Sequence, residues 1–461
     1  MADGQDNHHD DRMTSGLRRL APRTDGDGEE PVPPAPARRS TARRVLRWVT
    51  LGLSLVVLLG AAAGTFLYFR LNGNLRDMPL FGGVGGDAGT ERPDAFGRTP
   101  LNVLVIGSDT RADGADCRLG GDCGPGQNAD VEMVLHISAD RSHATVLSIP
   151  RDTVMDLPAC RTTKGGIAAA HRGQVNSTLQ HGPGCTVAAV HALTALPIDH
   201  FVMADFAGVV RMSDAVGGVP VCVNRNVYDP YSHLKLAKGR HSLKGEAALE
   251  FLRSRHSFGD GSDLGRTDAQ HIYLAALAHR VREGGTFSDP AGMLMLADAA
   301  TKSLTVDTGL AAIPKLAGLA DDVRKVPSAR FAFTTMPSSP DPYNPNRLVP
   351  GPTAKRVFAT IAADRPLKVS GSGGSSTGGR PRAAAGQATA GPPTDETFED
   401  RVAPAATATP KATAPATRGR TAAGAAGCAK VSTTRSVVVG GVAMTPTAAF
   451  AATPRIPVSA K

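Results

Sequence analysis

Three arginines, Arg253, Arg255 and Arg266, crowd into the stretch Phe251-Leu-Arg-Ser-Arg-His-Ser-Phe-Gly-Asp-Gly-Ser-Asp-Leu-Gly-Arg266. Guanidinium groups stay charged and grip phosphate oxygens through paired N–H donors, so such a cluster points to a phosphate-bearing ligand. Helical spacing over Gly245 to Arg253 puts the first two at a helix C-terminus, where the dipole already favours a cation. That accounts for one arginine, not for three. Gln270 lies four residues after Arg266, one turn along the same helical face, and both can reach one ligand.

Three other places carry compatible chemistry. Gly107-Ser-Asp109-Thr-Arg111 follows a strand, at the sheet rim where α/β proteins place ligands. Asn128-Ala-Asp130 precedes the next strand. Two carboxylates at neighbouring strand boundaries, Asp109 and Asp130, can hold a hard cation such as Mg2+, with Mn2+ as the alternative, completed by phosphate and water; the plainer role for each is turn capping. Ser148-Ile-Pro-Arg151-Asp152 ends a third strand and presents Arg151 at the same edge, where a surface ion pair with Asp152 would contribute only about 0–1 kcal/mol.

The elements that must position these groups alternate between strand and helix. Leu101 to Ser108, Val131 to Ser138 and Ala144 to Pro150 are short apolar or β-branched runs bounded by Gly, Asp and Pro, and further strands are expected at His200 to Asp205, Val219 to Val223 and Ala329 to Thr335. Helical spacing recurs over Thr186 to Leu196, Gly245 to Arg253, Arg266 to Arg282, Pro290 to Ala300 and Thr353 to Ala363. The mixture predicts an α/β fold, a central mixed sheet covered by helices on both sides.

Trp48 to Phe69 is an uncharged run that at 1.5 Å per residue spans roughly 33 Å, enough for a bilayer core of about 30 Å. Arg38, Arg39, Arg43, Arg44 and Arg47 lie just before it, which by the positive-inside rule keeps the N-terminus in the cytoplasm and sends the rest outside. A cleaved signal peptide is the alternative, but its apolar core is usually only about 7–15 residues long. The reading is a disordered cytoplasmic segment 1–47, a transmembrane signal anchor 48–69, a juxtamembrane linker 70–99, an extracytoplasmic domain 100–365, and a disordered Ala/Gly/Pro/Thr-rich tail 366–461.

The formal charge of +9 is concentrated at the ends and leaves residues 48–365 near neutrality. No bulk basic face and no helix-turn-helix pattern is present, so nucleic acid is not an expected partner. Cys117, Cys123, Cys160, Cys185 and Cys222 fall outside the membrane on this topology, where disulfides persist. Cys117 with Cys123 and Cys160 with Cys185 are candidate pairs, though six cysteines allow 15 connectivities. No Cys-x2-Cys spacing suggests a zinc site.

The order of these motifs resembles the LytR-CpsA-Psr family. The match is carried by Gly107-Ser-Asp-Thr-Arg111, Asp130, Ile149-Pro-Arg-Asp152, Ile198-Asp-His-Phe201, Asp214-Ala-Val-Gly-Gly-Val219, Gly245-Glu-Ala-Ala-Leu249, Arg253-Ser-Arg255 and Gly265-Arg266. The resemblance implies a single-pass membrane enzyme, of actinobacterial type, that moves a glycopolymer such as teichoic acid or arabinogalactan from a polyprenyl-pyrophosphate carrier onto peptidoglycan. Carried over by motif position, Asp109 and Asp130 would hold Mg2+. Arg111, Arg151, Arg253, Arg255, Arg266 and Gln270 would face the pyrophosphate, with Asp109, Arg151, Arg253 and Arg255 in catalytic roles and pyrophosphatase activity as a side reaction. An apolar groove for the lipid is implied near Val134, Leu147, Phe201, Val209 and Leu249, for which plain core packing is the alternative. Asn128, Gln174 and the run Ala269-Gln270-His271 depart from the family pattern and remove up to three cations that the resemblance would otherwise imply. Two other classes remain as alternatives, a non-catalytic polymer-binding scaffold and a transcriptional attenuator.

Overall fold

The structure, a computed structural model, describes residues 41–110, 114–120, 127–283, 289–370, 416–421 and 427–460. It divides into two units, 1–63 and 64–461. The described part of the first belongs to helix α1 (Thr41–Asn74), whose Arg43–Asn74 stretch is long and apolar enough to cross a membrane. Its large apolar side chains are exposed, Trp48 at 74% and Leu55 at 57%.

A nine-stranded mixed sheet organises the second unit. Its strands are β1 (Arg76–Met78), β2 (Leu101–Ser108), β3 (Ala129–Ile137), β4 (Ala144–Ile149), β5 (His200–Ala204), β6 (Leu304–Asp307), β7 (Phe331–Thr335), β8 (Lys368–Ser370) and β9 (Ala416–Thr421). They lie in the order β1-β6-β5-β2-β3-β4-β7-β9-β8. The centre is an antiparallel β2-β3-β4 meander flanked by parallel β5 and β7.

Period-two alternation sends the side chains of these strands into two cores. On one face Leu104, Ile106, Val134 and Leu147 pack against α3 (Pro183–Thr194) and α9 (Ala354–Ala362). On the other, Met133, Ile137 and Val146 meet α6 (Asp263–Glu283) and α8 (Ile313–Lys325) through Ala275 and Val323. This is the expected α/β arrangement with helices on both sides. Residues 219–223 and 239–243 form a separate hairpin whose valines share a third core with α5 (Glu246–Arg253) and with Ile272 and Tyr273 of α6.

Helix boundaries have local causes. Asp205 caps α4 (Phe206–Ala215) by accepting from Gly208 N at 2.6 Å, and Asp289 caps α7 (Pro290–Ser303), which starts on a proline whose missing N–H costs nothing there. The short helix α2 (Gly114–Gly120) follows the β2 rim, and Asp116 within it accepts from Ala207 N at 2.8 Å.

Two segment boundaries need correction. The stretch read as a linker over 70–99 contains the last turn of α1 and strand β1, which pairs in parallel with β6 and so belongs to the sheet. The tail read as disordered through 461 contains β8, β9 and a packed segment over 427–460 that includes α10 (Pro446–Ala452). Its low-complexity composition hid a covalent anchor: Cys428 is bonded to Cys222, and Ala429, Val431 and Val437 are buried. Cys160 and Cys185 are joined as expected, and Cys117 is disulfide-bonded while Cys123 lies outside the described residues. Of the segment 1–47 read as disordered, residues 41–47 are instead the start of α1, and 1–40 lie outside the described residues.

Candidate active site

The site grows from an irregularity where β2 and β3 meet. Gly107 pairs with Val131 and Ser108 with Ala129, so Asp130 is the extra residue of a β-bulge and has no partner across the strand. A bulge re-aims the side chain it carries, here a carboxylate at the sheet rim. Gly107 makes the close pairing feasible, because a Cβ there would lie 2.8 Å from the Cβ of Val131. Asp109 sits directly beyond β2 and is tied to the same edge: its N–H donates to Asn128 O at 3.0 Å, and its Oδ1 accepts from Asn128 N. Asn128 Nδ2 lies 3.5 Å from Asp109 Oδ2, and Gln180 Nε2 donates to Asn128 Oδ1 at 3.0 Å. Both carboxylates therefore stand at one rim, held by backbone geometry.

Arginines converge on this rim from distant elements. Arg151, just past β4, pairs with Asp130 Oδ1. Arg266, buried at 5% exposure in the first turn of α6, donates from Nη2 to the backbone carbonyl of Asp130 at 3.2 Å. Gly265 permits this, because a Cβ there would collide with the Phe258 carbonyl. Next to Arg151, the carboxylate of Asp152 is a buried hub. Its Oδ2 accepts from Arg255 Nη2 at 2.9 Å, and its Oδ1 from Arg347 Nη1 at 2.7 Å and Gln174 Nε2 at 2.8 Å. One anion thus orients two guanidiniums and a carboxamide from three parts of the chain.

Two expected residues make contacts on neighbouring elements. Arg253 donates to Leu119 O in α2 at 2.6 Å and lies over the Phe206 ring at 4.8 Å, so it braces α2 and α4. Gln270 is buried at 4% exposure and donates to Leu252 O at 3.2 Å, locking α6 to α5. Arg111 lies outside the described residues. Val134, Leu147 and Phe201 are wholly buried in one apolar cluster and Leu249 is buried on α5, while Val209 is half-exposed; for the first three, core packing is the role the structure gives.

Two of the departures also acquire packing roles. Ala269 is buried in the hairpin core, and His271 Nε2 bonds Ser148 Oγ at 2.7 Å, pinning α6 to β4. Gln174 turns inward to Asp152. Sequence reading missed Arg347 and the hub role of Asp152. The only signal for Arg347 was an arginine in the turn-rich stretch Asn344-Pro-Asn-Arg347, and its partner lies 195 residues away.

The C-terminal segment is part of the site's scaffold. Gly259 N donates to Lys430 O at 2.9 Å, Ser432 N to Ser257 O at 2.8 Å, and Ser436 Oγ to His256 O at 2.6 Å. It is stitched along the loop that connects Arg255 to Arg266.

An acidic pair at a sheet rim, hemmed by guanidiniums that a buried carboxylate orients, defines an α/β domain equipped to take a polyanionic ligand. The hard oxygen donors of Asp109 and Asp130 fit a magnesium-type cation, since that ion takes one or two carboxylates and keeps its other positions for water and phosphate. The sequence model of the LytR_cpsA_psr family matches residues 88–360, and the chain belongs to that family.

The cell wall biosynthesis protein LcpA of Corynebacterium glutamicum is 30% identical over 338 residues, 66% of this chain and 63% of that protein. The probable cell wall biosynthesis protein LcpB of the same organism is 32% identical over 213 residues, 45% of this chain and 48% of its own. The chain thus spans less than two thirds of either relative. The polyisoprenyl-teichoic acid–peptidoglycan teichoic acid transferase TagT of Bacillus subtilis is 26% identical over 251 residues, 52% of this chain and 72% of that one. Among solved structures, a LytR-Csp2A-Psr enzyme from Actinomyces oris aligns with a TM-score of 0.48 and 22% identity, covering 62% of this chain and 95% of that one.

Proposed function

We propose that this chain is a membrane-anchored, extracytoplasmic phosphotransferase that moves a glycopolymer from a polyprenyl-pyrophosphate carrier onto peptidoglycan. The observation that carries this reading is the convergence of Arg151 and Arg266 on Asp130, beside the Asp152-oriented Arg255 and Arg347, at the rim where Asp109 sits. Family membership and the transferase activity for which TagT is named point the same way.

In the reaction, an acceptor hydroxyl attacks the phosphorus that carries the glycopolymer. The phosphoanhydride bond breaks, and the polyprenyl phosphate leaves with the bonding electrons. Charge builds on the bridging and non-bridging oxygens, and fixed guanidiniums stabilise it without reorganising. Arg151 and Arg255 are held by Asp130 and Asp152 and face this charge; Arg266 fixes the Asp130 backbone. Asp109 takes the hydroxyl proton. Asp109 and Asp130 would hold Mg2+, which supplies charge neutralisation on the diphosphate when bound. Arg253 supports the α2 side of the site. Tethering through α1 keeps the domain at high effective concentration beside its lipid carrier, with the N-terminus cytoplasmic.

The test is in vitro transfer by the full chain in lipid vesicles, using defined polyprenyl-pyrophosphate donors and peptidoglycan fragments. Turnover that requires Mg2+ and falls by one to two decades in Arg255→Ala is expected, the loss of one charge-assisted hydrogen bond of about 1.5–3 kcal/mol. Near-normal transfer by Asp109→Ala with Mg2+ present would remove Asp109 from the chemistry. Binding of the donor with no turnover under any divalent cation would favour a polymer-binding scaffold.

A further inference from the structure

We propose that His136, His143 and Asp364 form a second metal site, for a zinc-type divalent cation, at the opposite end of the sheet from the arginine cluster. His136 is the penultimate residue of β3, His143 precedes β4, and Asp364 follows α9. Asn102 pairs with His136 at this end of the β2–β3 ladder and Ser108 with Ala129 at the other, so at about 3.4 Å per residue roughly 20 Å separates His136 from Asp130.

The hydrogen bonds fix what His136 presents. Asn102 Nδ2 donates to Pro197 O at 2.8 Å and also to Glu91 Oε1, which makes Asn102 Oδ1 the acceptor on its other side. His136 Nδ1, 2.8 Å from that oxygen, must then carry a proton. In neutral imidazole, Nε2 is left with a lone pair, and it faces Asp364 Oδ1 at 3.1 Å. Two acceptors at that separation need a positive charge between them.

A proton on His136 would meet that need for one nitrogen alone. His143 Nε2 is also aimed at Asp364 Oδ1, at 3.9 Å, and it is buried with no hydrogen-bond partner among the described residues. His143 as a residue is only 7% exposed, so solvent does not satisfy that nitrogen. A single cation answers both nitrogens and the carboxylate.

All three ligand atoms lie within 4.8 Å of one another. Tetrahedral zinc with arms of about 2.0–2.1 Å sets its ligand atoms roughly 3.3 Å apart, so closure needs only small side-chain shifts. Two imidazoles and one carboxylate are a donor set that suits zinc, with a fourth position for water. Outer partners are in place as well: Asn102 orients His136, and Ala139 N donates to Asp364 Oδ2 at 3.1 Å, leaving Oδ1 for the ion.

The experiment uses the full chain in detergent micelles, stripped with chelator, held in saturating Mg2+ and titrated with Zn2+ against a chromophoric zinc chelator, with elemental analysis and thermal unfolding in parallel. One zinc per chain and a zinc-dependent rise in unfolding temperature are expected. His143→Gln and Asp364→Asn should each weaken zinc binding by on the order of 100-fold, and Asn102→Ala by about 10–100-fold. Asparagine suits position 364 because the backbone there is left-handed, with φ +49°. Asp130→Asn should leave the zinc stoichiometry intact. The proposal is overturned if the wild-type chain takes up no more zinc than Asp364→Asn, if uptake is lost in Asp130→Asn and kept in His143→Gln, or if nitrogen NMR finds His136 doubly protonated while added zinc goes unbound.

Discussion

Arg347 Nη1 donates to Asp152 Oδ1 at 2.7 Å, joining a turn near the end of the folded domain to the rim of β4 across 195 residues. The same carboxylate holds Arg255 and Gln174, and all three bonds use an acid only 4% exposed.

Asp152→Ala is therefore expected to cost both stability and rate. Removing the shared acceptor strands donors around a buried position, at about 1–3 kcal/mol, and releases Arg255 from its orientation. A lowered urea midpoint together with transfer slowed about 10–100-fold would support this. An unchanged rate in Asp152→Ala protein that folds normally would mean that the hub is structural only.

Arg347→Lys should behave unlike a conservative change. Lysine keeps the charge but offers a point donor in place of a planar fork. Because Gln174 supplies no charge beside Asp152, Arg347 is expected to be a main source of cation there, and Arg347→Lys should lower kcat by about tenfold while changing the unfolding midpoint little. Steady-state kinetics beside a denaturation curve separates the two effects.

Glu91 predicts a pH dependence away from the site. Burial, with Asp199 and Asp364 nearby, pushes its carboxyl up to about 7 from 4.5. The folded state thus keeps a proton that the unfolded chain releases near pH 4.5, and stability falls as pH rises between those values. Glu91→Gln, which stays neutral, should flatten this part of the stability profile measured from pH 4.5 to 7.5. A slope unchanged by the substitution would reject the assignment.

Cys428→Ser should loosen the loop that carries the arginines. The Cys222–Cys428 bridge spans 206 residues and anchors the segment stitched to Ser257, Gly259 and His256. Losing it is expected to cost about 2–5 kcal/mol and to reduce transfer as well. Hydrogen exchange over 254–266 should rise in the variant; full retention of protection there would show that noncovalent contacts suffice.

How far the sequence reached can be judged from single elements. Strand β2 was readable to the residue, because Leu101 to Ser108 is a β-branched and apolar run interrupted only by Asn102 and closed by Gly-Ser-Asp, and such a run has few alternatives. Helix α7 was legible from the helical spacing over Pro290 to Ala300, three residues short of its end at Ser303. Strand β6 was not, since Leu304–Asp307 continues directly from α7 and carries no turn signal, and it is defined by its pairing with β5 and β1. The C-terminal segment was misread because Ala, Gly and Thr composition reports poor core-forming capacity, while a disulfide and a host surface supply what composition lacks.

The sequence by itself determined the apolar helix, the alternation that makes a two-faced sheet, and the set of acids and arginines near its rim, because these depend on local period and residue chemistry. Only the tertiary structure decided which of those charges meet. It lifted Asp130 out of the ladder on a bulge, gathered Arg255, Gln174 and Arg347 on Asp152, and turned Arg253 and Gln270 to bracing roles. Such encounters join positions up to 195 residues apart, and no local period encodes a distance that long.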